Sequence, residues 1–138
     1  MTAVLVLSVM LAAAAADPET AAREAVADFA AGLAQDNAEQ ALRAVSKKMD
    51  GYGEFADQIR ALVRQNLVTS SVSPQSNTGD DSKRELELDW YVEIKSRNED
   101  LAMVRRRETV RCTVERTGKN KWQITAIAPL RLFALPVF

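Results

Sequence analysis

From Glu85 to Ile94 every second residue is apolar. Leu86, Leu88, Trp90, Val92 and Ile94 alternate with Glu85, Glu87, Asp89, Tyr91 and Glu93. A period of two sends the first set to one face of a β-strand and the second set to the other. The pattern therefore predicts a strand with one buried and one wet face. Before it the period is helical. Ala22, Ala25, Val26, Phe29 and Leu33 share one face, with Arg23, Glu24 and Asp28 off the stripe. Asp17 and Pro18 form a start signal for that helix, a capping acid followed by proline at the first helical position.

A second, shorter helix fits residues 38–45, capped by Asp36 or Asn37, with Ala38, Ala41, Leu42 and Val45 inward. Lys47 and Lys48 suit its C-terminal end, where the helix dipole favours cations. Gly51 and Gly53 break the chain, and Tyr52, Phe55, Ile59 and Leu62 then mark a third helix with Val63 beside them. Arg60 and Arg64 lie on its wet side, and Asp57 reads as a surface acid paired with one of them.

Strands follow. Residues 68–73 form a short first strand, and the polar stretch 74–82, with Pro74, Asn77, Gly79 and Asp80-Asp81, reads as a loop. The alternating strand runs to about Ser96, and Asn98-Glu99-Asp100 is the next turn. A third strand covers 102–116 and a last one 122–133, with Pro129 at an edge or bulge because proline cannot donate to a ladder. The apolar tail 134–138 is expected to pack back on the domain. If Arg97 and Leu101 flank a three-residue turn, the numbers of facing residues add to about 198. Glu93 then faces Arg105, Glu87 faces Arg111, and Tyr91 lies beside Arg107. The three arginines are thus expected in a cross-strand charge ladder rather than an anion site.

The opposite face of the third strand carries Ala102, Val104, Val110, Cys112 and Val114, with Arg106 opposite Val92 and Glu108 opposite Trp90. Two charges on an apolar face are costly unless paired or hydrated. Three readings stand: a bulge near Arg105 that turns both outward, a buried ion pair between them, or the polar determinants of a pocket. Cys112 is expected as a small buried hydrophobe.

Composition narrows the chemistry. A chain of 138 residues suits one domain. With 18 basic against 19 acidic residues, nucleic acid is not an expected partner. There is no His and one Cys, so His-based triads, the common zinc sites and an intrachain disulfide are all excluded. No metal and no cofactor is expected. The uncharged run Val4 to Ala15 is shorter than the roughly 20 residues of a membrane span but matches the apolar core of a secretory signal. Ala14-Ala15-Ala16 before Asp17 places the cut after Ala16, although Met1-Thr2-Ala3 lacks the usual basic residue. The expected organisation is a signal peptide, 1–16, and one domain, 17–138, exported to the periplasm or beyond, with no stable membrane span after cleavage.

Three helices before a sheet that closes on Lys121-Trp122-Gln123-Ile124-Thr125-Ala126-Ile127, with Leu88-Asp89-Trp90 in its central strand, resemble the nuclear transport factor 2-like (NTF2-like, SnoaL-like) superfamily and its exported bacterial members. The resemblance covers about residues 18–133. It implies an α+β cone: three N-terminal helices packed in a curved four-stranded antiparallel sheet, an apolar pocket at the wide end, and homodimers through the sheet. Enzymes of the superfamily use an Asp or His base with Tyr or acid donors. This chain has no His, and no Asp matches that base. By position, Tyr52, Trp90, Arg106 and Glu108 would line the pocket. The expected role is non-catalytic binding of a small apolar ligand or a protein partner, through the pocket or the sheet face. The alternative is a small isomerase, cyclase or dehydratase with Glu108 as general base and Tyr52 or Arg106 stabilising negative charge. A third reading is a dimeric structural module whose pocket is plugged by Trp90, Phe29 and the apolar tail.

Overall fold

A computed structural model describes residues 17–98 and 102–137. The expected export signal and the tip of the turn after Ser96 lie outside the described residues. Three helices come first: α1 (Pro18–Ala34), α2 (Ala38–Arg43) and α3 (Tyr52–Gln65). Four strands follow: β1 (Asn66–Gly79), β2 (Lys83–Ser96), β3 (Met103–Gly118) and β4 (Lys121–Ala128). A 3-10 turn, Leu130–Phe133, closes the chain. The sheet is an antiparallel meander in the order β1-β2-β3-β4, and the helices pack on its concave side. No described helix is long and apolar enough to cross a membrane.

The helix starts follow the capping chemistry. The Asp17 carboxylate accepts from the Thr20 N–H at 2.8 Å, and the Asn37 side chain accepts from Gln40 N–H at 3.0 Å. α2 ends at Arg43, two residues before the expected end. Lys47 and Lys48 therefore lie beyond it, in the connection to α3. The inward stripes are those the helical period indicates: Ala22, Val26, Phe29 and Leu33 from α1, and Phe55, Ile59 and Leu62 from α3, all buried. Asp57 sits 3.7 Å from Arg60 as an exposed acid.

The pairing of β2 with β3 runs unbroken from Lys83↔Glu115 to Lys95↔Met103. It carries the expected pairs Glu93↔Arg105, Tyr91↔Arg107 and Glu87↔Arg111. Leu86, Leu88, Trp90, Val92 and Ile94 are buried, as are Val110, Cys112 and Val114. On the outer face Arg105 reaches Glu93 at 3.4 Å and Arg111 reaches Glu87 at 3.5 Å. Arg107 reaches Asp89 at 2.6 Å rather than Tyr91, whose hydroxyl donates to Glu93 at 2.5 Å. The arginines thus form the charge ladder.

Two strands end well away from where the sequence pattern ends them. β1 runs on to Gly79 through the stretch read as a loop. Its register shifts between Pro74 and Ser76, so Gln75 is an extra, unpaired residue. That bulge lets the strand pass a proline with no N–H to give, and an edge strand tolerates polar residues on both sides. β4 stops at Ala128 instead of running to Phe133. Pro129 ends the ladder, and the next four residues wind into the 3-10 turn that carries Leu132 and Phe133 inward. The outer edge of β4 is covered locally by the chain after α2. Ser46 N–H donates to the Ile124 carbonyl and Ile124 N–H to the Ala44 carbonyl, both at 2.8 Å. This short parallel bridge seals part of an otherwise open edge.

Candidate functional site

Helices on the concave face of a bent sheet leave an interior that can be filled or empty. Here it is filled. Phe133 is fully buried, with its ring 5.3 Å from Trp90, 5.4 Å from Phe29 and 6.3 Å from Phe55, each in edge-to-face geometry. Phe29 also stacks on Phe55 at 5.9 Å. The four rings come from α1, α3, β2 and the 3-10 turn, so this one cluster ties both halves of the chain together. Trp90 is wholly buried, and its indole N–H donates to Ser70 Oγ at 2.9 Å.

Arg106 and Glu108 hold the plug in place. The unbroken β2–β3 register leaves both side chains on the concave face, so a bulge near Arg105 does not turn them out. They do not pair with each other. Nη1 of Arg106 donates to the carbonyls of Leu132 at 3.0 Å and Ala134 at 2.7 Å, with a longer contact of 3.3 Å to Arg131. A cation among the carbonyls at the end of a helical turn is favourable for the same reason as at any helix C-terminus. Partial burial pulls its guanidinium down from its ordinary value. Glu108 accepts from Arg131 through both carboxylate oxygens, at 2.7 and 3.0 Å. The hydrogen bond from Arg131 holds the Glu108 carboxyl below the usual carboxylate range.

Tyr52, the remaining candidate, lies apart from this cluster of three. It is half-buried at the start of α3, on a lateral groove of about 870 Å³ between the α2–α3 connection and the β3–β4 turn. The structure thus brings Trp90, Arg106 and Glu108 together around the 3-10 turn that carries Phe133 and puts Tyr52 on a separate groove. Cys112 is buried among apolar side chains, and burial pushes its thiol up to about 12. Sequence reasoning did not find the partners of the two charges, Arg131 and the carbonyls of 131–134. The available signal was Pro129: a strand cannot continue through it unperturbed, and Leu132 and Phe133 after it are adjacent apolar residues that a strand would send to opposite faces.

In sequence the chain matches no protein-family profile and no curated protein. In structure it is similar to several solved proteins. A conserved protein from Planctomyces limnophilus superposes with a TM-score of 0.72 at 11% identity, over 80% of this chain and 93% of that one. A nuclear transport factor 2 (NTF2-like) superfamily protein from Salmonella enterica gives 0.66 at 9% identity, over 78% and 88%. The chain has the NTF2-like fold. A hexachlorocyclohexane dehydrochlorinase (LinA) type 2 is similar too, with a TM-score of 0.59 at 11% identity over 78% and 83%. An NTF2-like cone can therefore carry an enzyme, and function here has to be read from the side chains that line it.

Proposed function

We propose that this NTF2-like protein is a non-catalytic binding domain, exported from the cell, that acts as a homodimer and meets its partner from outside the cone. The observation that carries this reading is Phe133 at the centre of the interior. An apolar ligand would have to displace that ring and the Arg106 contacts behind it. The enzyme reading is weakened at the same place. A general base needs a free oxygen near the proton it removes. Both oxygens of Glu108 accept from Arg131, and Tyr52 opens on a different groove.

The outer sheet face supports the dimer. Glu87, Asp89 and Glu93 form an acidic row on β2 beside the basic row of Arg105, Arg107 and Arg111 on β3. A two-fold axis along the strands, between β2 and β3, would lay each acidic row over the basic row of a second copy. Leu67 and Met103, on strands flanking Lys95 at one end of this face, are exposed apolar side chains.

Native mass spectrometry of the protein recovered from the periplasm of its host tests the proposal. The expected species is a dimer starting at Asp17 with no apolar molecule retained. A retained apolar molecule would make the cone a ligand site and overturn the reading. A monomer would remove the dimer, and a chain starting at Met1 would remove the cleaved export signal.

A further inference from the structure

We propose that the lateral groove beside α3 binds a small organic anion with a phosphate or carboxylate head and an apolar or aromatic body. The groove is walled by the α2–α3 connection on one side and the β3–β4 turn on the other. Arg43, Lys47, Lys48, Arg116 and Lys121 line it, together with Arg60. Glu39 is the acid among the lining residues, and Arg60 already engages it at 2.9 Å. Among the described residues none of the other five cations has a carboxylate within ion-pair distance.

The contrast with the sheet decides what this means. There Arg105, Arg107 and Arg111 each meet an acid. The chain as a whole carries a net charge of −1, so six cations lining one concavity with Glu39 as the acid among them are not a by-product of a basic composition. Like charges gathered on one groove repel, and a bound anion relieves the repulsion. Arg43 and Arg116 offer planar forks for a phosphate or carboxylate, while the lysines act as mobile point charges. The guanidinium of Arg116 stands 5.6 Å over the Trp122 ring, which limits its freedom before a ligand arrives.

The rest of the groove sets the size and body of the ligand. Leu42 and Val45 are buried apolar floor, and the Tyr52 ring is half-exposed beside them. Gln123 braces the wall by donating to the Arg43 carbonyl at 3.0 Å. The volume, about 870 Å³, lies in the range of small-molecule sites. An extended acidic peptide would need free main-chain groups to pair with. At Ile124 those groups are already bonded to Ala44 and Ser46. This favours a small molecule over a peptide, and it does not depend on how the sheet face is used.

The test is a ¹H–¹⁵N NMR titration of the purified full-length chain with phenyl phosphate, benzoate and phenol. The expected result is saturable shifts at the amides of residues 42–48 and 116–121 with phenyl phosphate or benzoate, the tighter of the two naming the head group. Lys47→Gln combined with Lys48→Gln should weaken binding about ten-fold. Lys83→Gln with Lys95→Gln removes the same charge elsewhere and should leave it unchanged. Equal binding of phenol, equal weakening by the two double variants, or no saturation would overturn the proposal. So would a poly-glutamate peptide that perturbs these amides when the small anions do not.

Discussion

Arg131 meets Glu108 through two guanidinium nitrogens, at 2.7 and 3.0 Å, and the pair joins the 3-10 turn to the third strand. Each end explains the other. Glu108 is a charge on a concave, mostly apolar strand face, and Arg131 is a charge on the short turn that drives Phe133 into the core.

The pair makes the plug sensitive to acid. Glu108 has a depressed carboxyl in the folded chain, so its contribution is present above the ordinary carboxylate range and lost as pH falls through the folded value. The wild-type lead in melting temperature over Arg131→Gln should be full at neutral pH and shrink below about pH 4. Circular dichroism melts from pH 7 to pH 3 would show it, and a lead that does not change with pH would count against the pair.

Phe133 is expected to be one of the most costly truncations in the chain. Phe133→Ala removes a ring that touches three others and should destabilise by about 3–5 kcal/mol in urea unfolding. Val137, 94% exposed four residues later, serves as the control: Val137→Ala should stay within about 0.5 kcal/mol. Phe133→Ala should also admit an apolar dye that the wild type excludes.

Arg106→Met keeps the length of the side chain and removes its donors. The carbonyls of Leu132 and Ala134 then lose their partner, at an expected cost of about 1–3 kcal/mol. Arg106→Lys should recover part of it. If Met is as stable as wild type, the arginine is not what holds the turn.

At Gly32 two effects of opposite sign compete. In a helix interior Gly→Ala normally stabilises by about 0.5–1 kcal/mol. Here a Cβ would stand 2.4 Å from Ala41 N and 2.7 Å from Ala41 Cα, where α1 and α2 touch. Backbone cannot yield cheaply at that range, so Gly32→Ala should destabilise by about 1–3 kcal/mol. A stabilised variant would mean that the two helices can separate.

Cys112 should be inert. It is fully buried, and its thiol titrates only at about 12. A thiol reagent at pH 8 should label none of the native protein and one group per chain after denaturation. Rapid native labelling would show that the core around β3 opens.

Local periodicity was enough to place much of the fold. The alternation from Leu86 to Ile94 fixed which face of β2 is buried, and one turn length then fixed the β2–β3 register, down to Glu93 opposite Arg105. A capping acid and the 3.6-residue stripe placed α1, and the stripe after Gly51 placed α3. It missed where neighbours outside the local chain decide. β1 continues past Pro74 because β2 offers it a partner and a bulge absorbs the proline. β4 stops at Ala128 because the next residues bury more apolar surface by turning inward than by staying at the edge. Only the tertiary structure showed that the cone is plugged, since the rings around Phe133 come from residues 29, 55 and 90. Likewise, no local pattern links Arg43, Lys47, Arg116 and Lys121, and they line one groove because the sheet carries the β3–β4 turn back over the end of α2. Periodicity decides which way a side chain points, and packing of distant segments decides what it meets.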